Sequence, residues 1–565
     1  MKRIRILYQV FFFALFLFLV AVTSVSELGG YPVRWFLELD PLVGLGTGLA
    51  AHTLHPGLMW GLLLIAITVL FGRVFCGWVC PLGSLHHFAT AFLDGRPAAA
   101  RIAANRPRPL YNLKYYLLVA LLVMAAGHSL QIGWLDPIAF LTRAIAVVVQ
   151  PMSQWLGQSA GLTGDAWLAA ALVIAGAGGA GGLASRWLAG GGKPRRYLCD
   201  AAFAAALAAG LWWLFRASAV EPRRFHWGFW IAVVFVVALA LNRVVPRLWC
   251  RALCPFGALL GLVGKYSLWQ IHRDPERCSG CRLCVVDCQG ACEPDGQLLK
   301  SECFGCMSCR EQCPEGGITF RFLPPATGAW RPSPDLDRRR LIGAATLGVL
   351  WVAGVRVGGG DRRAGSRDVI RPPGSRPEAE FLERCVKCGA CMRVCPTQAI
   401  HPALGEAGAE GLWTPILIFR AGACEPECVL CGQVCPTGAI RSILCDEKLG
   451  RGEWQGDPVR LGTAFFDRGR CLPWATGTPC AVCQEVCPVS PKAIYTTPAE
   501  FVRRDGSKAV VGLPHVDPER CTGCGACEKE CPVHDRRAIR VSSVGESRSA
   551  VNRMWLDAGP RAPSN

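Results

Sequence analysis

The stretch "CVKCGACMRVCP" (residues 385–396) sets four thiols apart by two, two and three residues and ends them on a proline. Disulfide pairing gains nothing from such crowding, whereas a cubane iron–sulfur cluster takes three thiolates from one tight loop. The fourth thiolate, before proline, reaches a neighbouring cluster. The pattern recurs along the chain. The other sets are Cys278, Cys281, Cys284, Cys288; Cys303, Cys306, Cys309, Cys313; Cys424, Cys428, Cys431, Cys435; Cys471, Cys480, Cys483, Cys487; and Cys521, Cys524, Cys527, Cys531. With Cys385, Cys388, Cys391 and Cys395 they use 24 of the 31 cysteines, which favours 4Fe-4S clusters over zinc.

Taken in pairs, the sets make two-cluster modules, two clusters before residue 325 and four after 371, so about six in all. The first module joins Cys278, Cys281, Cys284 with Cys313, and Cys303, Cys306, Cys309 with Cys288. Cys288 lacks the following proline and Cys292 stands close by in "CQGAC", which leaves that fourth ligand open. The later four sets pair either in sequence or in a nested order, and spacing does not choose. Two loops are irregular, Cys424 to Cys428 with one extra residue and Cys471 to Cys480 with eight intervening. Longer loops cost little closure entropy, so both still deliver a ligand. Cys445 has no assigned role.

Away from the cysteines the chain is apolar. Of 565 residues 52% are hydrophobic, and mean hydropathy is +0.30. This points to a membrane protein with soluble appendages. Runs of spanning or near-spanning length lie at 7–26, 57–75, 113–130, 166–185, 198–215 and 228–246. A net charge of +18 does not imply nucleic acid, because the basic residues sit in loops beside these runs. They crowd from Arg73 to Lys114, Arg186 to Arg196 and Arg243 to Lys265, and thin out at Arg34, Arg143 and Arg216 to Arg224. The positive-inside rule therefore places both ends of the bundle in the cytoplasm. The basic start reads as part of a first membrane helix, since no cleavage site clearly follows.

Two phrases recur in order, "LDPL" (39–42) then "CGWVCPLG" (76–83), and "LDPI" (135–138) then "CRALCPFG" (250–257). The separation from Asp to Cys is 36 residues in one copy and 114 in the other, room for two inserted helices. A pseudo-twofold would bring Cys76, Cys80, Cys250 and Cys254 together at the inner membrane face, as a further thiol site or as small half-buried residues. If these segments are helical, spacing of i, i+4 puts each pair on one face. Asp40 and Asp136 precede prolines, so each reads as a helix cap first and a candidate quinol proton acceptor second. His52, His55, His86, His87, His128 and His226 lack the paired spacing of a haem site, and no Cys-x-x-Cys-His occurs, so no c-type haem is expected. "GLGTG" (44–48) follows no strand, which argues against a dinucleotide site, and Cys199 reads as core.

The expected fold is therefore multidomain, an all-α transmembrane bundle joined to α+β ferredoxin-like polycluster modules. The bundle spans 1–265 and a cytoplasmic two-cluster module 266–325. A seventh crossing lies at 338–357 and a four-cluster domain at 371–550. The alternative for 341–357 is a short peripheral helix that leaves all clusters inside, since the run is brief, glycine-rich and holds Arg356.

The duplicated Cys-x-x-x-Cys-Pro segment with its trailing two-cluster module, 1 to about 325, resembles the NapH or MauN family of membrane ferredoxins. From about 338 onward, "RPPGSRPEAEFLERCVKCGACMRVCP", "GTAFFDRGRCLPWATGTPCAVCQEVCP" and "CTGCGACEKECP" resemble the NapG or MauM family of four-cluster ferredoxins. The resemblance implies a bacterial inner-membrane protein that takes electrons from the quinone pool and passes them to a periplasmic redox enzyme or cytochrome, nitrate reductase being the best-known acceptor. It also implies a twin-arginine export signal, matched in "DRRRLIG" at Arg338 and Arg339, although Asp337 and Gly343 depart from the usual residues. Two other functions remain open, an electron-supplying maturation factor for a periplasmic enzyme and a membrane redox sensor.

Overall fold

The computed structural model describes residues 2–22, 33–151, 228–322, 334–357, 369–549 and 552, with short breaks at 54, 94–95, 150, 297, 453, 503–505 and 507. The runs expected at 166–185 and 198–215, Cys199, and 358–368 of the linker lie outside the described residues. The chain divides into two compact units, 1–352 with 386–390, and 353–385 with 391–565.

In the first unit, proline-led entries set the helices. Asp40 starts the helix Pro41–Ala51, its Oδ1 accepting from the N–H groups of Leu42 (2.8 Å) and Val43 (3.2 Å). Asp136 does the same for Pro137–Ala144, accepting from Ile138 (3.1 Å) and Ala139 (2.7 Å). Proline loses nothing at a first helical position, where its missing N–H would be unpaired anyway. Cys80 and Cys254 repeat the device for Pro81–Leu93 and Pro255–Gly264, each thiol accepting from the N–H three residues on, Gly83 at 3.4 Å and Gly257 at 3.2 Å.

This corrects one expectation. The two Cys-x-x-x-Cys segments are not continuous helices with both thiols on one face. Helix Val74–Trp78 ends before Cys80, and Trp249–Leu253 is a wide π-turn that ends at Cys254, whose backbone is extended. Proline at 81 and 255 is the reason, since it disfavours helical backbone in the residue before it.

Two described helices are long and apolar enough to cross a membrane, Pro109–Ala126 and Arg338–Val357. Shorter apolar helices run over Ile4–Val20, Pro41–Ala51, Pro56–Phe71, Pro137–Val149, Gly228–Arg243 and Pro255–Gly264. Large apolar side chains stand exposed on several of them, among them Phe11, Leu62, Phe229, Ile342 and Leu347. Helix Arg338–Val357 rests on Leu113–Ala126 through Gly348, where a Cβ would meet the Ala120 carbonyl at 2.8 Å. Trp351 then packs edge-on to Trp134 and donates to Ser129 Oγ at 3.3 Å. The unit also holds an antiparallel ribbon of β1 (Trp269–Arg273) and β2 (Ile318–Phe322), which brackets the first two cysteine sets.

The second unit is built from three antiparallel strand pairs. They are β3 (Ile400–Pro402) with β4 (Pro415–Leu417), β5 (Thr463–Phe466) with β8 (Ile539–Ser542), and β6 (Ile494–Val502) with β7 (Lys508–Val516). Pairing of β5 with β8 closes the segment that carries the last two cysteine sets. Its core is made largely of thiols and small apolar side chains, including Cys471, Cys483, Cys521, Cys527, Cys531, Ala493 and Ile539. Arg371 and Arg548 both bind Glu378, at 2.5 and 2.6 Å, and Arg371 extends to the Pro415 carbonyl at 2.8 Å, which ties β4 to helix Glu378–Arg384.

Candidate iron-sulfur centres

The tight cysteine loops share a backbone device. In Cys-x-x-Cys-x-x-Cys the residues two and four after the first cysteine have positive φ: Gly280 and Arg282, Gly305 and Met307, Lys387 and Gly389, Gly523 and Gly525. Alternating left-handed residues curl the chain so that successive N–H groups face one side, a nest suited to an anionic guest. Glycine at several of these positions was the readable signal. The two irregular loops, after Cys424 and after Cys471, lack it.

Three recesses are each lined by four thiols. One of about 390 Å³ takes Cys278, Cys281, Cys284 and Cys313. A second, of about 340 Å³, takes Cys471, Cys480, Cys483 and Cys531. The third, of about 330 Å³, takes Cys487, Cys521, Cys524 and Cys527. In each, three thiols come from one loop and the fourth from the end of the partner set. Among the described residues no three His, Cys, Asp or Glu side chains meet as they would around a single ion. The thiols instead line solvent-open recesses, and the donor set suits a cubane cluster.

Electrostatic contacts extend the scheme. Cys431 faces Cys424, Cys428 and Cys395, and Cys309 faces Cys303, Cys306 and Cys288. The later sets thus pair in sequence, third with fourth and fifth with sixth, rather than nested. Cys385, Cys388 and Cys391 are each buried. The two modules of the second unit meet where the Cys424 N–H donates to the Cys524 carbonyl at 2.8 Å.

Cys292 sits 3.5 Å from Cys288. Its hydrogen bonds hold both Cys288 and Cys303 below the ordinary thiol value, while Cys292 itself is pushed well above it. Burial pushes the Cys284 and Cys483 thiols up to about 12 and Cys424 to about 11. Metal must displace those protons.

Lys448 is a residue that sequence reading missed. Its buried ammonium donates to Cys424 Sγ at 3.4 Å and to the carbonyls of Glu425 (2.6 Å) and Cys428 (2.7 Å). A unit charge about 6 Å from a cluster, at an effective dielectric near 20, is worth about 3 kcal/mol, on the order of 100 mV for one electron. Lys448→Met is therefore expected to lower the potential of one cluster by that order, read by EPR redox titration. Unchanged potentials would rule out the charge effect.

In the first unit, Asp40 and Asp136 are fully buried and their carboxyls face each other within hydrogen-bonding reach. The fold thus brings the two Leu-Asp-Pro loops together, 96 residues apart in sequence. Cys76, Cys80, Cys250 and Cys254 also converge, every pair within electrostatic reach. Among the described residues, Cys445 donates to the Glu427 carbonyl at 3.5 Å.

Three segments match models described as 4Fe-4S binding domains: 53–97 with 225–273, 381–401, and 513–539. Among similar proteins, the methylamine utilization ferredoxin-type protein MauM of Methylophilus methylotrophus is 34% identical over 204 residues, 36% of this chain and 81% of the relative. The ferredoxin-type protein NapG of Escherichia coli is 36% identical over 213 residues, 37% of this chain and 86% of the relative. The putative electron transport protein YccM of Escherichia coli is 36% identical over 104 residues, 18% of this chain and 29% of the relative. No solved structure matches. Through about 204 of its residues, the chain belongs to the MauM/NapG ferredoxin-type iron–sulfur electron-transfer proteins.

Proposed function

We propose that this protein is a membrane-bound quinol dehydrogenase component that fuses a NapH/MauN-like membrane ferredoxin to a NapG/MauM-like one. It carries electrons from the quinone pool through about six 4Fe-4S clusters to a periplasmic redox enzyme or cytochrome. The observation that carries this reading is the reciprocal four-thiol sets, which make a wire rather than isolated metal sites. Apolar helix faces on the first unit support lipid contact, because exposed patches of that kind are rare on soluble chains. Helix Arg338–Val357 is long and apolar enough to cross, with Arg338, Arg339 and Arg340 at its start. On this reading it places the four-cluster domain in the periplasm.

Asp40 and Asp136 are the candidate proton acceptors for quinol. Both are tied to helix starts through Oδ1, and among the described residues neither Oδ2 has a donor other than the opposite carboxyl. The clusters, once bound, supply one-electron steps; the chain's part is to hold them in series and keep the ligating thiolates buried.

Two tests follow from this reading. Anaerobic protein in detergent, mixed with quinol, is expected to lose visible cluster absorbance. Clusters that dithionite reduces and quinol leaves oxidised would overturn the quinol step. A reporter active only outside the cytoplasm, fused after Asn565, is expected to be active; an inactive fusion with an active cytoplasmic counterpart would overturn the export step.

A further inference from the structure

Buried cationic side chains of the first unit gather beside its cysteines. Arg5, Arg73, Lys114, Arg247 and Arg251 are all buried around the Cys303–Cys309 loop and the four thiols of the repeat. Arg5 donates to the Cys306 carbonyl at 2.8 Å, and Arg251 to the Cys288 carbonyl at 2.9 Å. Glu302 is the buried carboxylate in reach, and it is already shared by Lys114, Tyr115 and Arg73.

Arg247 is left over. It is 1% exposed, and its one side-chain hydrogen bond runs from Nη1 to the Cys76 carbonyl at 3.3 Å. Among the described residues its Nε and Nη2 are buried with no hydrogen-bond partner, and no carboxylate pairs with it. Its charge faces Cys250, Cys306 and Cys80 instead, while Arg73 faces Cys76, Glu302 and Cys254. An unpaired buried guanidinium costs several kcal/mol unless something negative offsets it.

We infer that Cys76, Cys80, Cys250 and Cys254 hold a single further iron–sulfur centre on the pseudo-twofold of the repeat, with Arg247 and Arg73 as its counter-charges. Four thiolates outweigh the positive charge of an iron–sulfur core, so such a centre stays anionic and pairs with the two guanidiniums. Each repeat gives one thiol that caps a helix and one from the preceding turn, so neither half can hold the centre alone.

The site also adjoins the wire. Phe304, next to the ligand Cys303, lies 4.7 Å from the Arg73 guanidinium and 5.5 Å from that of Arg247. A Cβ at Gly77 would meet the Phe304 carbonyl at 2.6 Å, and Trp78 donates to the Gly305 carbonyl at 3.0 Å. The first Cys-x-x-x-Cys turn thus rests directly on the loop of the second cluster. This assignment does not depend on quinol being the donor.

The test is metal and sulfide content of full-length, anaerobically purified protein. Seven centres give about 28 iron and 28 sulfide per fully loaded chain, and six give about 24. Combined Cys76→Ser and Cys250→Ser is expected to remove about four of each, with the EPR signals of the other clusters kept. Unchanged iron and sulfide in that variant, or loss of a metal without sulfide, overturns the inference. Should the double variant also lose other clusters, the wild-type count decides, 28 for and 24 against. Arg247→Met gives an independent reading. With a centre present it lowers iron occupancy; with empty thiols it removes an uncompensated charge, leaving iron unchanged and raising thermal stability.

Discussion

Cys531→Ser is expected to abolish a cluster that belongs mostly to another loop. Cys531 closes the recess of Cys471, Cys480 and Cys483, some fifty residues earlier, while Cys487 closes that of Cys521, Cys524 and Cys527. Loss of about four iron per chain is expected to fall on the Cys471 cluster, and Cys487→Ser is expected to produce the reverse pattern. Mössbauer or EPR spectra of the two variants distinguish them. If each variant lost the cluster of its own loop, reciprocal ligation would be wrong. Because the thiols of both recesses belong to the apolar core of this segment, the cluster is also core, and local unfolding around β5 and β8 is expected with it.

Glu378→Gln is expected to destabilise the second unit by about 3–5 kcal/mol, the usual cost of breaking a buried ion pair from one side. Burial pushes the Glu378 carboxyl up, but the two guanidiniums of Arg371 and Arg548 prevail and bring it down to about 2. Against an ordinary value of 4.5 that depression corresponds to about 3 kcal/mol. The sign follows from the lowered folded value: the contribution is complete above pH 4.5 and is lost as pH falls towards 2. Since Arg371 also holds the Pro415 carbonyl, hydrogen exchange of β4 amides is the sensitive probe. Protection in the Glu378→Gln variant equal to wild type at neutral pH would show that the network carries no such weight.

The cysteine spacing made the cluster modules legible because cubane ligation is a local matter of three thiols on one loop plus one further along. Which later sets pair was not legible. That depends on how β5 meets β8 and on where Cys395 points, neither of which has a local signature. Lys448 was hidden for the same reason, since a lysine 17 residues past Cys431 has no motif. The repeat of Leu-Asp-Pro and Cys-x-x-x-Cys-Pro was visible, and so was the capping by Asp40 and Asp136. The helical reading of the cysteine turns failed because the prolines at 81 and 255 outweigh helical spacing. Buried arginines were misread in part. Arg5, Arg73, Arg247 and Arg251 were counted as loop charges marking the inner side, yet they are buried against thiols and backbone carbonyls.

The central claim is one continuous wire from a quinol step in the first unit to the clusters of the second. Freeze-quench EPR of the full-length protein in liposomes, mixed anaerobically with a short-chain quinol, tests it most directly. Signals from the Cys278–Cys313 module and from the later four clusters are expected to grow together, two electrons per quinol consumed. Reduction confined to the first module, with the later clusters responding only to dithionite, would contradict it.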